Sequence, residues 1–184
     1  MWATDLWLSA SANWDRIQEA GAQDQVFPIH AEAHALPYAD GFFDAIVSLD
    51  AYHYFGTDDL CINLFTRLLK TGGQIGIVVP GLVREFGQDV PDHMAACWEW
   101  DYCSFHSPDW WQDHWMKSRK VDVVHADLVP NGWKHWLKWD EVLLQHLPGD
   151  QSDNKAVDDE EFLEMLRKDA GSNLGFSRVV AKKL

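Results

Sequence analysis

The chain has 184 residues, 47% of them apolar and 24% charged, which supports one sizeable core and argues against disorder along its length. Its 15 Lys+Arg stand against 29 Asp+Glu, a formal net charge of -14, so phosphate backbones and anionic lipid are repelled and neither nucleic acid nor membrane is expected as a partner. No apolar run approaches bilayer length, no basic segment opens the chain, and three scattered Cys make no disulfide framework; a reducing cytoplasm is the expected compartment.

Strand-like and helix-like segments alternate. Residues 1–6 form a short apolar run ending in an acid and predict a strand. Trp14, Ile17 and Ala20 at helical spacing predict a helix over 13–20, with Asn13 as N-cap and Gly21 as stop. Residues 26–30 predict a second strand, placed at an edge or early position by Pro28. Residues 43–49 predict a third, whose near-continuous apolar run suits a strand covered on both faces. Leu60, Leu64, Phe65, Leu68 and Leu69 predict an amphipathic helix over 58–70, capped by Thr57 or Asp58 and broken at Gly72-Gly73. Residues 74–79 predict a fourth strand, stopped by Pro80-Gly81.

Residues 81–118 hold no clean period and predict short helices and loops. Strands are predicted at 121–126 and 175–181, helices at 133–146 and 158–169, and a polar loop at 149–153. Strands separated by helices imply an α/β fold with a mostly parallel sheet, treated as one domain over 1–184. Such sheets take ligands at the carboxyl ends of their strands.

The residues after those strands are therefore the candidates. Asp5 ends the first strand, where a carboxylate can accept from both hydroxyls of a ribose; a helix cap or a solvated loop acid is the plainer reading of this residue alone. Glu32 follows the second strand and can accept from an exocyclic amine, with the neighbouring Ala33 N–H serving a ring nitrogen. Residues 50–54 read Asp-Ala-Tyr-His-Tyr. His53 could act as general base, while Tyr52 and Tyr54 could donate or stack; the alternative is a helix start with Asp50 capping and the aromatics packed beneath.

The order His93, Cys97, Cys103, His106 invites a metal reading, but its spacing is not that of structural zinc sites, and no metal is assigned. Of the 11 Trp, eight crowd into one quarter of the chain. Most are expected in core or interface, with Trp110 and Trp111 the best candidates for a substrate pocket.

Taken in order, Asp5, then Ala31-Glu32-Ala33-His34-Ala35-Leu36-Pro37-Tyr38, then Asp40-Gly41-Phe42-Phe43-Asp44, then Leu68-Leu69-Lys70-Thr71-Gly72-Gly73 resemble the class I S-adenosylmethionine-dependent methyltransferases of the small-molecule branch. The likeness covers residues 1–80 well and the later strands loosely. Glu32 stands for the family's usual Asp and Thr71 for its usual Pro. The resemblance implies a Rossmann-like sheet with helices on both faces and an antiparallel C-terminal strand. It also implies S-adenosylmethionine as cofactor, with Asp5 at the ribose, Glu32 and Ala33 at the adenine, and Asp50 near the methionine end.

In this reading residues 1–80 are the cofactor-side half and 81–184 the aromatic, substrate-side half. The implied reaction is methyl transfer to a small molecule, with Asp50, Tyr52 and His53 as candidate catalytic residues and Tyr54, Trp110 and Trp111 as candidate substrate contacts. The family's first strand and its glycine-rich loop are expected to be missing, as in a truncated member. A lost central strand would leave two unpaired ladders and an apolar slot, through which a homodimer could form. The rival reading is a non-catalytic relative that binds or self-associates.

Overall fold

The computed structural model describes residues 1–87, 89–146 and 153–184, so the loop expected at 149–153 lies almost wholly outside the described residues. In chain order the elements are β1 (Trp2–Asp5), α1 (Ala10–Glu19), β2 (Phe27–His30), β3 (Phe43–Leu49), α2 (Cys61–Leu68), β4 (Leu69–Leu82), α3 (Pro108–Met116), β5 (Val121–Leu128), α4 (Gly132–His146), α5 (Asp153–Asp169) and β6 (Leu174–Lys183). Short 3-10 turns lie at Ala33–Ala35, Tyr52–Tyr54, Ala95–Cys97 and Trp100–Ser104.

The strands form two sheets, β1-β2 and β3-β4-β6-β5. β1 pairs with β2 in parallel, and β3 with β4. Only β6 runs against its neighbours, pairing antiparallel with both β4 and β5. The carboxyl ends of β1 and β2 are adjacent, with Asp5 opposite His30, and those of β3 and β4 likewise, with Leu49 opposite Val78.

Each sheet thus presents a strand, β1 in one and β3 in the other, with one side unpaired. The full coverage expected of β3 is wrong. Ile46 turns into the core, while Val47 and Leu49 alternate outward at 71% and 67% exposure. A near-continuous apolar run suits a central strand, but β3 is an edge of its sheet.

The two sheets meet through aromatic rings. Tyr38 lies 6.0 Å from Trp2 and 4.7 Å from Phe43, centroid to centroid, and its hydroxyl is 3.2 Å from Thr4 Oγ1. The main core packs Tyr52, Phe65, Leu69, Ile75, Ile77, Trp111, Trp115 and Val179 between α2, α3 and the larger sheet. A second cluster gathers Leu82, Met94, Phe105, Leu166 and Leu174 under the aromatic segment.

Several boundaries differ from the sequence pattern: α2 ends at Leu68 and β4 begins at Leu69, so Gly72-Gly73 lie within the strand and do not break the helix, and three others have a local reason. α1 starts at Ala10, capped by Ser9, whose Oγ accepts from Ala12 N at 3.2 Å; Asn13 is inside the helix. α2 starts at Cys61 because Asp58 Oδ1 takes the Leu60 N–H at 2.7 Å and holds a turn instead of capping. β4 runs through Pro80 to Leu82. β3 pairs only as far as Val78, so Pro80's missing donor costs no ladder bond on that side.

Candidate functional site

The site is built where the chain leaves β1, β2 and β3. After β1, Asp5 Oδ1 accepts the N–H groups of Trp7 and Leu8 at 2.7 and 2.8 Å, an Asx-type turn that starts the link to α1. After β2, His30 Nε2 lies 2.8 Å from Leu6 O and ties that turn to the β1 turn. Glu32 then precedes the 3-10 turn, its Oε1 2.6 Å from His34 Nδ1. Ala33 is the first residue of that turn, which leaves its N–H unused by the turn itself.

The turn after β2 reaches the turn after β3. The His34 ring sits edge-on to Phe55 at 5.9 Å, and Ala33 and Leu36 pack on the main core. Asp5, Glu32 and Asp50 thus each follow the carboxyl end of a parallel strand, β1, β2 and β3 in turn. Asp50 itself is held by its N–H, which donates to Val78 O at 2.8 Å. Its φ of 53° is left-handed, a conformation that costs a non-glycine residue energy and marks a constrained position. Burial raises its carboxyl above the ordinary range, and it has no ion-pair partner among the described residues.

The Tyr52–Tyr54 turn separates its three rings. Tyr52 is fully buried among Phe55, Phe65, Trp111 and Trp115. Its hydroxyl makes no hydrogen bond among the described residues, though Cys61 and Trp115 lie beside it, and burial, then Cys61, push its ionisation well up. Tyr52 is thus a core residue and not a group that can reach a substrate. Tyr54 points out at 67% exposure. Its phenol is also shifted upward, by burial and then by Asp50 and Asp101.

His53 lies between them, 2% exposed, its ring 4.0 Å from Tyr54 and edge-on to Phe105 at 5.6 Å. Its Nδ1 is buried without a partner among the described residues. Burial lowers its pKa to about 4, with Asp101 pulling the other way, so the imidazole is neutral at pH 7.

Trp110 and Trp111 do not form a pocket wall together. Trp111 is fully buried in the main core. Trp110 is sandwiched between His106 at 3.6 Å and 7° and His114 at 4.4 Å and 19°. Those imidazoles are engaged in turn: His106 Nδ1 with Glu85 at 3.0 Å, His114 Nε2 with Gly56 O at 3.1 Å. His93 is bound to Asp169, so the His/Cys quartet weighed for metal is dispersed, and among the described residues no three His, Cys, Asp or Glu converge on a metal position.

Asp101 was not foreseen. It stands in the Trp100–Ser104 turn against the Tyr52–Tyr54 turn, with one carboxylate oxygen buried and unpartnered. It belongs to the stretch without periodicity, where nothing in the sequence distinguishes it from Glu99. A separate cleft of about 210 Å³ at the start of α4, lined by Pro130, Asn131 and Trp133, shares no residue with this cluster. No described helix is long and apolar enough to cross a membrane.

Residues 2–77 match the methyltransferase domain family. No curated protein sequence matches the chain. Among solved structures, a protein from Galdieria sulphuraria named for sarcosine and dimethylglycine methylation has 18% identity and a TM-score of 0.73, over 98% of this chain and 68% of its own. The 4+2 cyclase SpnF has 18% identity and a TM-score of 0.72, over 99% and 66%. Phosphoethanolamine N-methyltransferase 2 of Haemonchus contortus, solved with S-adenosyl-L-methionine, has 17% identity and a TM-score of 0.70, over 99% and 43%. The chain spans about two thirds of the length of the first two. The family match thus covers about two fifths of the chain, and over its whole length the chain shares the Rossmann-like fold of these solved structures.

Proposed function

We propose that the chain binds S-adenosylmethionine at the carboxyl ends of β1, β2 and β3 and supports methyl transfer to a small molecule. The observation that carries this is that Asp5, Glu32 and Asp50 each follow the carboxyl end of a parallel strand, with the turn after β2 touching the turn after β3 through His34 and Phe55. The residues fit the nucleoside end of the cofactor. Asp5 spends Oδ1 on its own turn and keeps Oδ2 to accept from ribose. Glu32 and the Ala33 N–H are complementary to an adenine edge. At the amino-acid end Asp50 offers a carboxylate to an ammonium. The bound cofactor would supply an electrophilic methyl on a sulfonium, and the protein's contribution is then positioning.

His53 is the base in this reading for an acceptor that arrives protonated, a role that requires the Tyr52–Tyr54 turn to open and expose its buried ring. Tyr54 is the substrate contact. Residues 1–80 serve the cofactor and 81–184 the acceptor. The three cysteines form no disulfide, which is compatible with a reducing cytoplasm. The bare sides of β1 and β3 favour the homodimer expected from sequence.

Calorimetric titration of the chain with S-adenosylhomocysteine tests the reading. Saturable binding, weakened about tenfold or more by Asp5→Ala through loss of charge-assisted hydrogen bonds, is expected. A folded chain that shows no binding would reject it. His53→Ala should lower methyl turnover while leaving that affinity unchanged.

A further inference from the structure

β4 and β5 run the same way, each antiparallel to β6, so their carboxyl ends and the start of β6 share one rim of the larger sheet. The cleft of about 210 Å³ opens on that rim. Val83 follows β4, Leu128 ends β5, Pro130 and Asn131 lead into α4, Trp133 lies in its first turn, and Leu174 begins β6. Strand ends of this kind are where α/β sheets take ligands.

The walls are held by close contacts. A Cβ on Gly132 would crowd Phe176 at 3.2 Å. One on Gly171, where φ is 75°, would lie 2.2 Å from the Trp133 ring. Gly175 differs, since a Cβ there would meet only Leu128, at 3.8 Å. The cleft therefore has room beside Gly175, while its other glycines are already packed. A concavity whose walls are fixed before anything enters is the usual form of a small-molecule site.

The lining sets the ligand's chemistry. Among the described residues none that lines the cleft is charged, in a molecule with 29 Asp+Glu and 15 Lys+Arg. An ion entering it would lose water to apolar side chains and gain no opposite charge. The carboxylates that suit a ribose or an ammonium, Asp5 and Asp50, are not among its residues. Asn131 and the Trp133 indole N–H are its polar side-chain groups. Its volume lies below the ~300 Å³ at which drug-sized sites begin and above the ~150 Å³ that encloses one benzene ring.

We infer that this cleft is a ligand site of its own, taking a small neutral molecule of one or two rings that packs on Trp133 and Leu174 and turns a single hydrogen-bonding group to Asn131. It does not rest on the methyl-transfer reading.

Nitrogen–proton correlation NMR of the whole chain tests this with indole as probe, read at the Trp133 indole N–H, which is assigned with Trp133→Phe. Indole should shift that signal saturably, with half-saturation at about 1 mM or below. Its charged derivatives indole-3-acetate and tryptamine should bind about tenfold more weakly or worse. Gly175→Val places a side chain in the open space at a strand position that suits Val, and should weaken indole about tenfold or more. Asn131→Gly keeps the left-handed backbone at φ 56° and should weaken it about threefold by removing one hydrogen bond. S-adenosylhomocysteine should leave the indole titration unchanged. A shift that does not saturate, equal binding of a charged derivative, an unchanged affinity in Gly175→Val, or displacement by S-adenosylhomocysteine would each overturn the inference. Should Gly175→Val lose its circular dichroism, an unchanged affinity in Asn131→Gly would overturn it instead. Indole binding without S-adenosylhomocysteine binding would reject the cofactor reading and keep this site; the reverse would reject this site alone.

Discussion

His53 couples the site to stability through its buried, uncharged ring. The folded imidazole titrates at about 4 against an ordinary 6.5. Between those values the unfolded chain binds a proton that the folded chain refuses. The stability is therefore complete above pH 6.5 and is lost as pH falls toward 4. A gap of this size corresponds to at most about 3 kcal/mol. In urea titrations across that window, His53→Gln should lose less stability than wild type; equal slopes would show that burial does not suppress the charge. Asp50 has the opposite sign, since its carboxyl is raised by burial. Asn tolerates the left-handed backbone at position 50 and carries no charge. Asp50→Asn should therefore raise the urea midpoint at pH 7 while weakening S-adenosylhomocysteine binding; a lowered midpoint would mean the charge is stabilising. Asp169 is a purely structural acid. Burial opposes its charge, but bonds from Leu174 N, Asn173 and His93 together outweigh it and lower its pKa. Asp169→Ala orphans these donors and should cost about 2–4 kcal/mol.

Two glycines, Gly56 after the Tyr52–Tyr54 turn and Gly81 in β4, turn their hydrogen atoms toward other groups. A Cβ on Gly56 would lie 2.0 Å from the Tyr52 ring, and one on Gly81 2.5 Å from His106 O. A Cβ on Gly76, in the middle of the β4–β6 ladder, would meet nothing closer than 3.8 Å. Gly56→Ala and Gly81→Ala should each destabilise by about 2 kcal/mol or more through overpacking, and Gly76→Ala by less than about 1 kcal/mol; thermal melts that rank Gly76→Ala with the others would contradict these contacts. The same contrast explains what the sequence made legible. Alternating strands and helices and the acids Asp5 and Glu32 at strand ends are local signals, and each lies where its pattern puts it, whereas Gly72-Gly73 lie inside β4 and do not break the helix. Tyr52 and Trp111 carried no such signal, because an aromatic after a strand or on a helix has one composition whether it faces solvent or core. Coverage of β3 depends on which strands become neighbours, and that is not written in its own seven residues. Asp101 gained its meaning only when the Trp100–Ser104 turn packed against the turn after β3.

At the scale of the molecule, the β1-β2 sheet is the less firmly attached part. Of the β1, α1 and β2 residues only Ile17 is buried in the core, and the rings of Trp2, Tyr38 and Phe43 join this unit to the larger sheet. The β4–β6 ladder, by contrast, pairs nine residues from Gln74 to Leu82. Hydrogen exchange should therefore be faster in 2–30 than in 74–82, because local opening there exposes little apolar surface. The same geometry leaves β1 and β3 with unpaired sides beside exposed Val47, Leu49 and Trp7, the last 91% exposed. Such edges recruit another strand unless a charge interrupts them. The net charge of -14 works against that recruitment by mutual repulsion, which salt screens over about 10 Å at 0.1 M. Self-association should therefore strengthen with salt, unlike a contact made of ion pairs. Sedimentation velocity on wild type and Val47→Lys, at low and at 0.5 M salt, separates the two. A salt-promoted dimer that Val47→Lys abolishes places the interface on the β3 edge; a dimer dissolved by salt moves it to a charged surface, and a monomer under every condition removes self-association from the account.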